Sequence, residues 1–180
     1  MEIRFVGVVS KGCELFAYQN PLPTTVAELA HLEGWPNSFV QGTFNIKIKK
    51  ENIPNIANFD LKSQGVRCLD LHPEFPPVAY LNYSVIPNNT ITPEKKGENA
   101  GDLQFWKTTL HVPDRSVSHN CYMLRRVRSG YAFDIELVSN VHLRNDFGLE
   151  NGDQVILTVF GENPNNQLNL TAQKDVPQVS

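Results

Sequence analysis

Gly42-Thr43-Phe44-Asn45-Ile46-Lys47-Ile48, GTFNIKI, is the stretch on which the fold turns. A glycine releases the chain into strict alternation, with Phe44, Ile46 and Ile48 on one face and Thr43, Asn45 and Lys47 on the other. That pattern predicts a β-strand with one face on a core and the other turned away from it. Thr43 and Asn45 then set two neutral oxygens side by side at a strand start. Hard cations such as Mg²⁺ take oxygen ligands, keep several waters and bridge to substrate phosphates, so the pair is a candidate metal platform. The competing reading is a half-buried strand whose polar face meets solvent.

Upstream, residues 3–10 read as a first strand rich in β-branched bulk, and Lys11-Gly12-Cys13-Glu14 as the turn after it. Thr24 or Thr25 can N-cap a helix through about Glu33, with Glu28 completing a capping box. Downstream, residues 51–65 read as loop with at most a short helix. Residues 66–71 and 78–86 read as strands, and 87–101, polar and punctuated by glycine and proline, as an exposed insertion. Further strands are predicted at 103–112, 120–127, 132–139, 154–160 and near 167–171, with a helical turn after Asn140. No strand-helix-strand alternation repeats. Many short strands with one or two short helices predict a mainly β protein, a small closed barrel over residues 1–172, and a flexible tail at 173–180.

The chain has 180 residues, enough to bury a core without disulfide staples. Its formal net charge of -3 provides no global field toward nucleic acid or anionic membrane, so an anionic ligand needs a local site. The opening MEIRFVGVVS is a strand rather than a signal peptide, and no apolar run is long enough to span a bilayer, which predicts a cytoplasmic protein. Cys13, Cys68 and Cys121 are odd in number and lack CxxC spacing, which points away from disulfides and zinc. The five histidines also lack metal-ligand spacing, and no GxxxxGK[ST], GxSxG or HExxH occurs.

Two stretches stand in the order of a known family: GTFNIKI and, downstream, Ile135 to Gly161, IELVSNVHLRNDFGLENGDQVILTVFG. With Val8-Val9-Ser10 before them, they resemble the archaeal CTP-dependent riboflavin kinases, whose fold is a six-stranded cradle-loop β-barrel. The resemblance covers most of the chain and is weak over 53–118. It implies transfer of the CTP γ-phosphate to the riboflavin 5′-hydroxyl to give FMN, with Mg²⁺ as cofactor. By matching position it implies that Thr43 and Asn45 hold the metal. It implies that Glu136 contacts the flavin and serves as catalytic residue, with Arg128 or, one register along, Ser129 beside it. Ser10, Lys11, Gly12, Val141, His142, Leu143 and Arg144 fall where such enzymes bind the nucleotide. The turn after Ser10 is shorter than the family's glycine-rich turn and keeps one glycine.

The chemistry can be argued without the resemblance. Phosphoryl transfer needs in-line positioning, a cation on the phosphates and charge neutralisation, with modest help in deprotonating the alcohol. Thr43 and Asn45 would supply the platform, Arg144 and the cluster Arg125, Arg126 and Arg128 the positive charge, and Glu136 a contact to the accepting hydroxyl. Against this, arginines on a strand are often a solvent face, and Glu136 reads equally as a solvated strand residue. The alternative function is a non-catalytic flavin- or nucleotide-binding or regulatory barrel that has lost the glycine loop. A third reading is a small barrel used for oligomerisation or nucleic-acid association. The leading expectation is small-molecule substrates, with no nucleic acid, membrane or obligate protein partner.

Overall fold

The computed structural model describes residues 1–11, 43–85 and 93–170. Gly12, the expected helix at 24–33, residues 87–92 and the tail at 173–180 lie outside them. The protein is mainly β. Its strands are β1 (Glu2–Ser10), β2 (Phe44–Ile48), β3 (Ala79–Leu81), β4 (Leu103–Val112), β5 (Val117–Arg126), β6 (Asp134–Val138), β7 (Gln154–Phe160) and β8 (Leu168–Leu170). The sheet runs β5-β6-β2-β1-β7-β4-β3-β8, and β5 also pairs with β4. That last pairing closes six antiparallel strands into a barrel and leaves β3 and β8 extending from the first half of β4, with β8 parallel to β3. Among the described residues, α-helix is confined to single turns at Leu61–Gln64, Pro93–Lys96 and Leu143–Asp146.

Alternation decides what faces inward. On β1, Ile3, Phe5 and Val9 are buried, and Phe44, Ile46 and Ile48 of β2 join them, as GTFNIKI predicts. Trp106, Leu110, Met123, Ile135, Leu137, Val155, Leu157 and Val159 complete the filling from the other four strands. The indole N–H of Trp106 donates to the carbonyl of Phe75 at 3.1 Å, so its polar atom is satisfied inside the core. Gly7 faces inward where β1 begins its pairing with β2. A Cβ there would stand 2.4 Å from Ile46 Cγ2 and 2.8 Å from the Lys47 carbonyl, so only glycine fits.

Two expected strands are corrected. Residues 66–71 form not a strand but the 3-10 turn Gly65–Leu69, and the strand expected over 78–86 is only Ala79–Leu81. The β4 to β5 pairing closes the barrel along the full length of both strands, and among the described residues 66–71 pairs with no strand. Some of its amides bond locally, Asp70 N–H to the Arg67 carbonyl at 3.1 Å, with His72 N–H just beyond to Leu69 at 3.2 Å, while the Val66 amide donates across the fold to the Ala132 carbonyl at 2.8 Å. Val66 and Leu69 still reach the core, because apolar residues three apart lie on one face of a helical turn.

An ion pair ties this segment to the barrel. Arg125, only 4% exposed, grips Asp70 bidentately, Nε to Oδ1 at 2.6 Å and Nη2 to Oδ2 at 3.0 Å. Gln104 also donates to Asp70 Oδ1 at 3.0 Å, and its own carbonyl accepts from the Leu71 amide at 3.2 Å. Beyond β3, buried Asp102 accepts from the Tyr80 hydroxyl and from the Tyr83 amide. This holds the C-terminal end of the expected insertion down: Glu94 and 96–98 are exposed, while Ala100 and Gly101 are buried.

Candidate functional site

The outward face of β1, β2 and β6 gathers the candidate residues by register alone. Ser10 opposes Asn45 across β1 and β2, and Asn45 opposes Glu136 across β2 and β6. Directly opposed residues on antiparallel strands project to the same face, so Ser10, Asn45 and Glu136 form one row. Thr43 enters β2 beside them.

The row is rich in acceptors. Thr43 Oγ1 stands 3.5 Å from Asn45 Oδ1 and 3.5 Å from Glu136 Oε1. The amide orientation of Asn45 is fixed by its Nδ2, which donates to the Thr43 carbonyl at 3.2 Å, so its oxygen is turned to the hydroxyl. Thr43 has one hydroxyl proton and cannot serve both acceptors. Three oxygens thus stand together with one hydroxyl proton among them, a set of neutral and anionic oxygens of the kind a hard cation takes. The cis edge of an octahedral Mg²⁺ shell is about 2.9 Å, so each of the two separations from Thr43 Oγ1 is about 0.6 Å wider than that edge. Among the described residues, no group of three or more His, Cys, Asp or Glu is placed to hold a metal.

Glu136 is shielded where a plain surface carboxylate would be solvated. Burial raises its pKa above the ordinary carboxylate value, opposed by the charge of Arg126, the Thr43 hydroxyl and the charge of Arg125, while Asp134 adds to the rise. Burial in turn pulls the Arg126 guanidinium below its ordinary range, with Glu136 opposing. The two groups face each other across β5 and β6, whose register sets Leu124 against Glu136 and so brings Arg126 diagonally to it.

Arg144 stands at the open end of β1. Its Nη1 donates to Asn151 Oδ1 at 2.9 Å and its Nη2 to the Ser10 carbonyl at 3.2 Å, with the guanidinium carbon 5.9 Å from the Phe44 ring centre. The GD turn holds the same strand end. Gly152 at φ 93° donates its amide to the Val9 carbonyl at 2.8 Å, and the Val9 amide donates to Asp153 at 2.9 Å. This is why LR and GD, read as one motif, act on one place: both grip the end of β1.

The other candidates fall elsewhere. Leu143 is buried in the core, Val141 packs against it, and His142 is exposed ahead of the helical turn. Lys11 is exposed at the end of β1, and Gly12 lies outside the described residues. Arg128 sits at φ 64° in the turn after β5 and donates through Nε to the Glu98 carbonyl at 2.8 Å. Ser129 is held in the same turn, its hydroxyl accepting from the Tyr131 amide at 3.3 Å and its carbonyl from Arg125. Neither is brought to the Thr43, Asn45 and Glu136 row.

The arginine cluster is therefore not one patch. Arg125 points inward to Asp70, Arg126 outward to Glu136, and Arg128 into a turn. Period-2 alternation along β5 carries the signal that separates them, because Met123 and Arg125 share a face opposite Leu124 and Arg126. The pairing of Arg125 with Asp70 joins residues far apart in sequence and has no local signature.

No protein-family model matches the chain, and no curated protein matches it either. No helix among the described residues is long and apolar enough to cross a membrane.

Proposed function

We propose that this chain is a phosphotransferase that moves the γ-phosphate of a nucleoside triphosphate, CTP by the resemblance above, to the 5′-hydroxyl of riboflavin. The observation that carries the reading is the convergence of Thr43 Oγ1, Asn45 Oδ1 and Glu136 Oε1 on one shielded barrel face. When bound there, Mg²⁺ would neutralise the phosphates and hold them in line for transfer.

The chain's own groups have separable tasks. Thr43 and Asn45 offer neutral oxygens, which leave the positive charge of a cation available to phosphate. Glu136 orients the ribityl hydroxyl and takes its proton as the oxygen bonds to the γ-phosphorus and the bond to the nucleoside diphosphate breaks. Its raised pKa suits that role, since a base nearer neutrality retains the proton better. Arg126 keeps the carboxylate charged and aimed, and Arg144, braced against Asn151 and Ser10, adds positive charge at the strand end where a triphosphate would lie.

The test is direct. Purified protein with Mg²⁺, riboflavin and each nucleoside triphosphate in turn should produce FMN with at least one donor. Thr43→Ala/Asn45→Ala should lose about 100-fold or more in rate, the scale of removing positioned electrostatic stabilisation. Flavin or nucleotide binding with no FMN from any donor would reduce the reading to a binding barrel. Full activity in the double variant would sink the metal assignment.

A further inference from the structure

Ser10 carries a feature that the reading above leaves unused. Its hydroxyl is buried, and among the described residues it has no hydrogen-bond partner, the one side-chain polar atom for which this holds. Buried hydroxyls are nearly always satisfied, so an orphan in a row of aligned polar groups needs a cause.

Its position is firmly set. The backbone at the end of β1 is fixed by the Arg144 guanidinium on the Ser10 carbonyl and by the Gly152 and Asp153 bonds to Val9. Register places Ser10 directly against Asn45, whose oxygen already faces Thr43. Cβ atoms of such a pair lie about 4.5 to 5.5 Å apart, and a serine is too short to share an inner coordination shell from there without displacing Asn45. It is well placed for the next layer out. Mg²⁺ gives up its waters reluctantly, so a cation held by Thr43 and Asn45 would present bound waters along the row.

We infer that the Ser10 hydroxyl is an outer-layer group of the Thr43, Asn45 and Glu136 cluster, accepting a hydrogen bond from a water on a hydrated divalent cation held there. The inference rests on the reading of that cluster as a cation platform. The serine proton then points to an anionic oxygen on the same cation, so both lone pair and proton are used only when the site is filled.

Mn²⁺ is a suitable probe, because free Mn²⁺ is counted by its paramagnetic resonance signal without any turnover. The full chain, Ser10→Ala, Ser10→Thr and Asn45→Ala are titrated with Mn²⁺, and each is melted in EDTA. Ser10→Ala should bind Mn²⁺ about five- to tenfold more weakly, the worth of one hydrogen bond. It should melt in EDTA at or above the temperature of the parent, because it loses an unsatisfied buried hydroxyl. Ser10→Thr should keep most of the Mn²⁺ affinity. A lower melting temperature for Ser10→Ala in EDTA would mean that the hydroxyl has a protein partner and would overturn the inference. So would unchanged Mn²⁺ affinity in Ser10→Ala alongside a weakened Asn45→Ala, which leaves the platform standing. No Mn²⁺ binding by the parent chain overturns the platform and the inference together.

Discussion

Breaking the Arg125 to Asp70 clasp should cost stability in a way that depends on which partner is removed. Arg125 is 4% exposed and the Asp70 side chain 15%, and their contacts are bidentate at 2.6 and 3.0 Å. Removing one partner of a buried pair costs about 3 to 5 kcal/mol, a large part of the 5 to 15 kcal/mol that holds a typical domain together. The two removals differ because arginine cannot shed its charge, whereas a carboxylate can take a proton. In Asp70→Asn the guanidinium stays charged and loses its counter-ion, so a loss of about 3 to 5 kcal/mol should be constant between pH 7 and pH 5. In Arg125→Leu the stranded carboxylate can be neutralised. For a carboxylate of ordinary pKa that costs about 4 kcal/mol at pH 7 and about 1.5 kcal/mol at pH 5, which caps the damage. The Ser129 and Tyr131 carbonyls also lose their donor, at about 1 kcal/mol each where water cannot replace it. Urea unfolding of parent and both variants at pH 7 and pH 5 measures this. The Arg125→Leu deficit should shrink by about 2 kcal/mol on acidification while the Asp70→Asn deficit holds. Parallel behaviour of the two variants, or losses below about 1 kcal/mol at pH 7, would refute the assignment of this pair as a buried clasp.

Glu136 gives a second pH dependence. Its folded pKa is raised, so the native chain keeps a proton that the unfolded chain has released. That stabilisation is complete below the ordinary value of 4.5 and is lost as pH rises through the raised value, at up to about 1.4 kcal/mol per pH unit. Glu136→Gln should remove the slope, and matched urea curves from pH 4 to pH 8 that run parallel would contradict it. Gly7→Ala should destabilise by about 1 to 3 kcal/mol, since the added Cβ meets Ile46 and the Lys47 carbonyl and the β1 to β2 crossing must open; thermal melting within a degree of the parent would show that the crossing has slack. Arg126→Met should move the pH profile of FMN formation to higher pH, because Glu136 loses the nearest charge that favours its ionised form. An unshifted profile with lowered rate would make Arg126 a packing residue instead.

The barrel was legible in the sequence to the extent that alternation is local. GTFNIKI, residues 3–10 and 154–160 each show their inward and outward faces directly, and the helical turn after Asn140 appears at Leu143–Asp146. Residues 66–71 misled because a short apolar run fits a strand or a turn equally, and the contacts that hold it are distant in sequence, the Val66 amide on the Ala132 carbonyl and Asp70 on Arg125. The candidate site divides in the same way. Thr43 and Asn45 share a face through a two-residue spacing, which any strand imposes. That Glu136 and Ser10 stand in their row depends on the registers of β6 and β1 against β2, where a slip of one residue would turn each side chain to the opposite face.

What the sequence determined by itself was therefore the period of each strand and the chemistry each face could offer. Only the tertiary structure decided which faces meet: that Arg125 would be buried on Asp70 while its neighbour Arg126 turned to Glu136, and that Arg128 and Ser129 would close a turn away from the row. The physical reason is one of range. Side-chain direction along a strand follows from backbone geometry over two residues, whereas register and barrel closure are set by the packing of the whole core, to which every strand contributes at once.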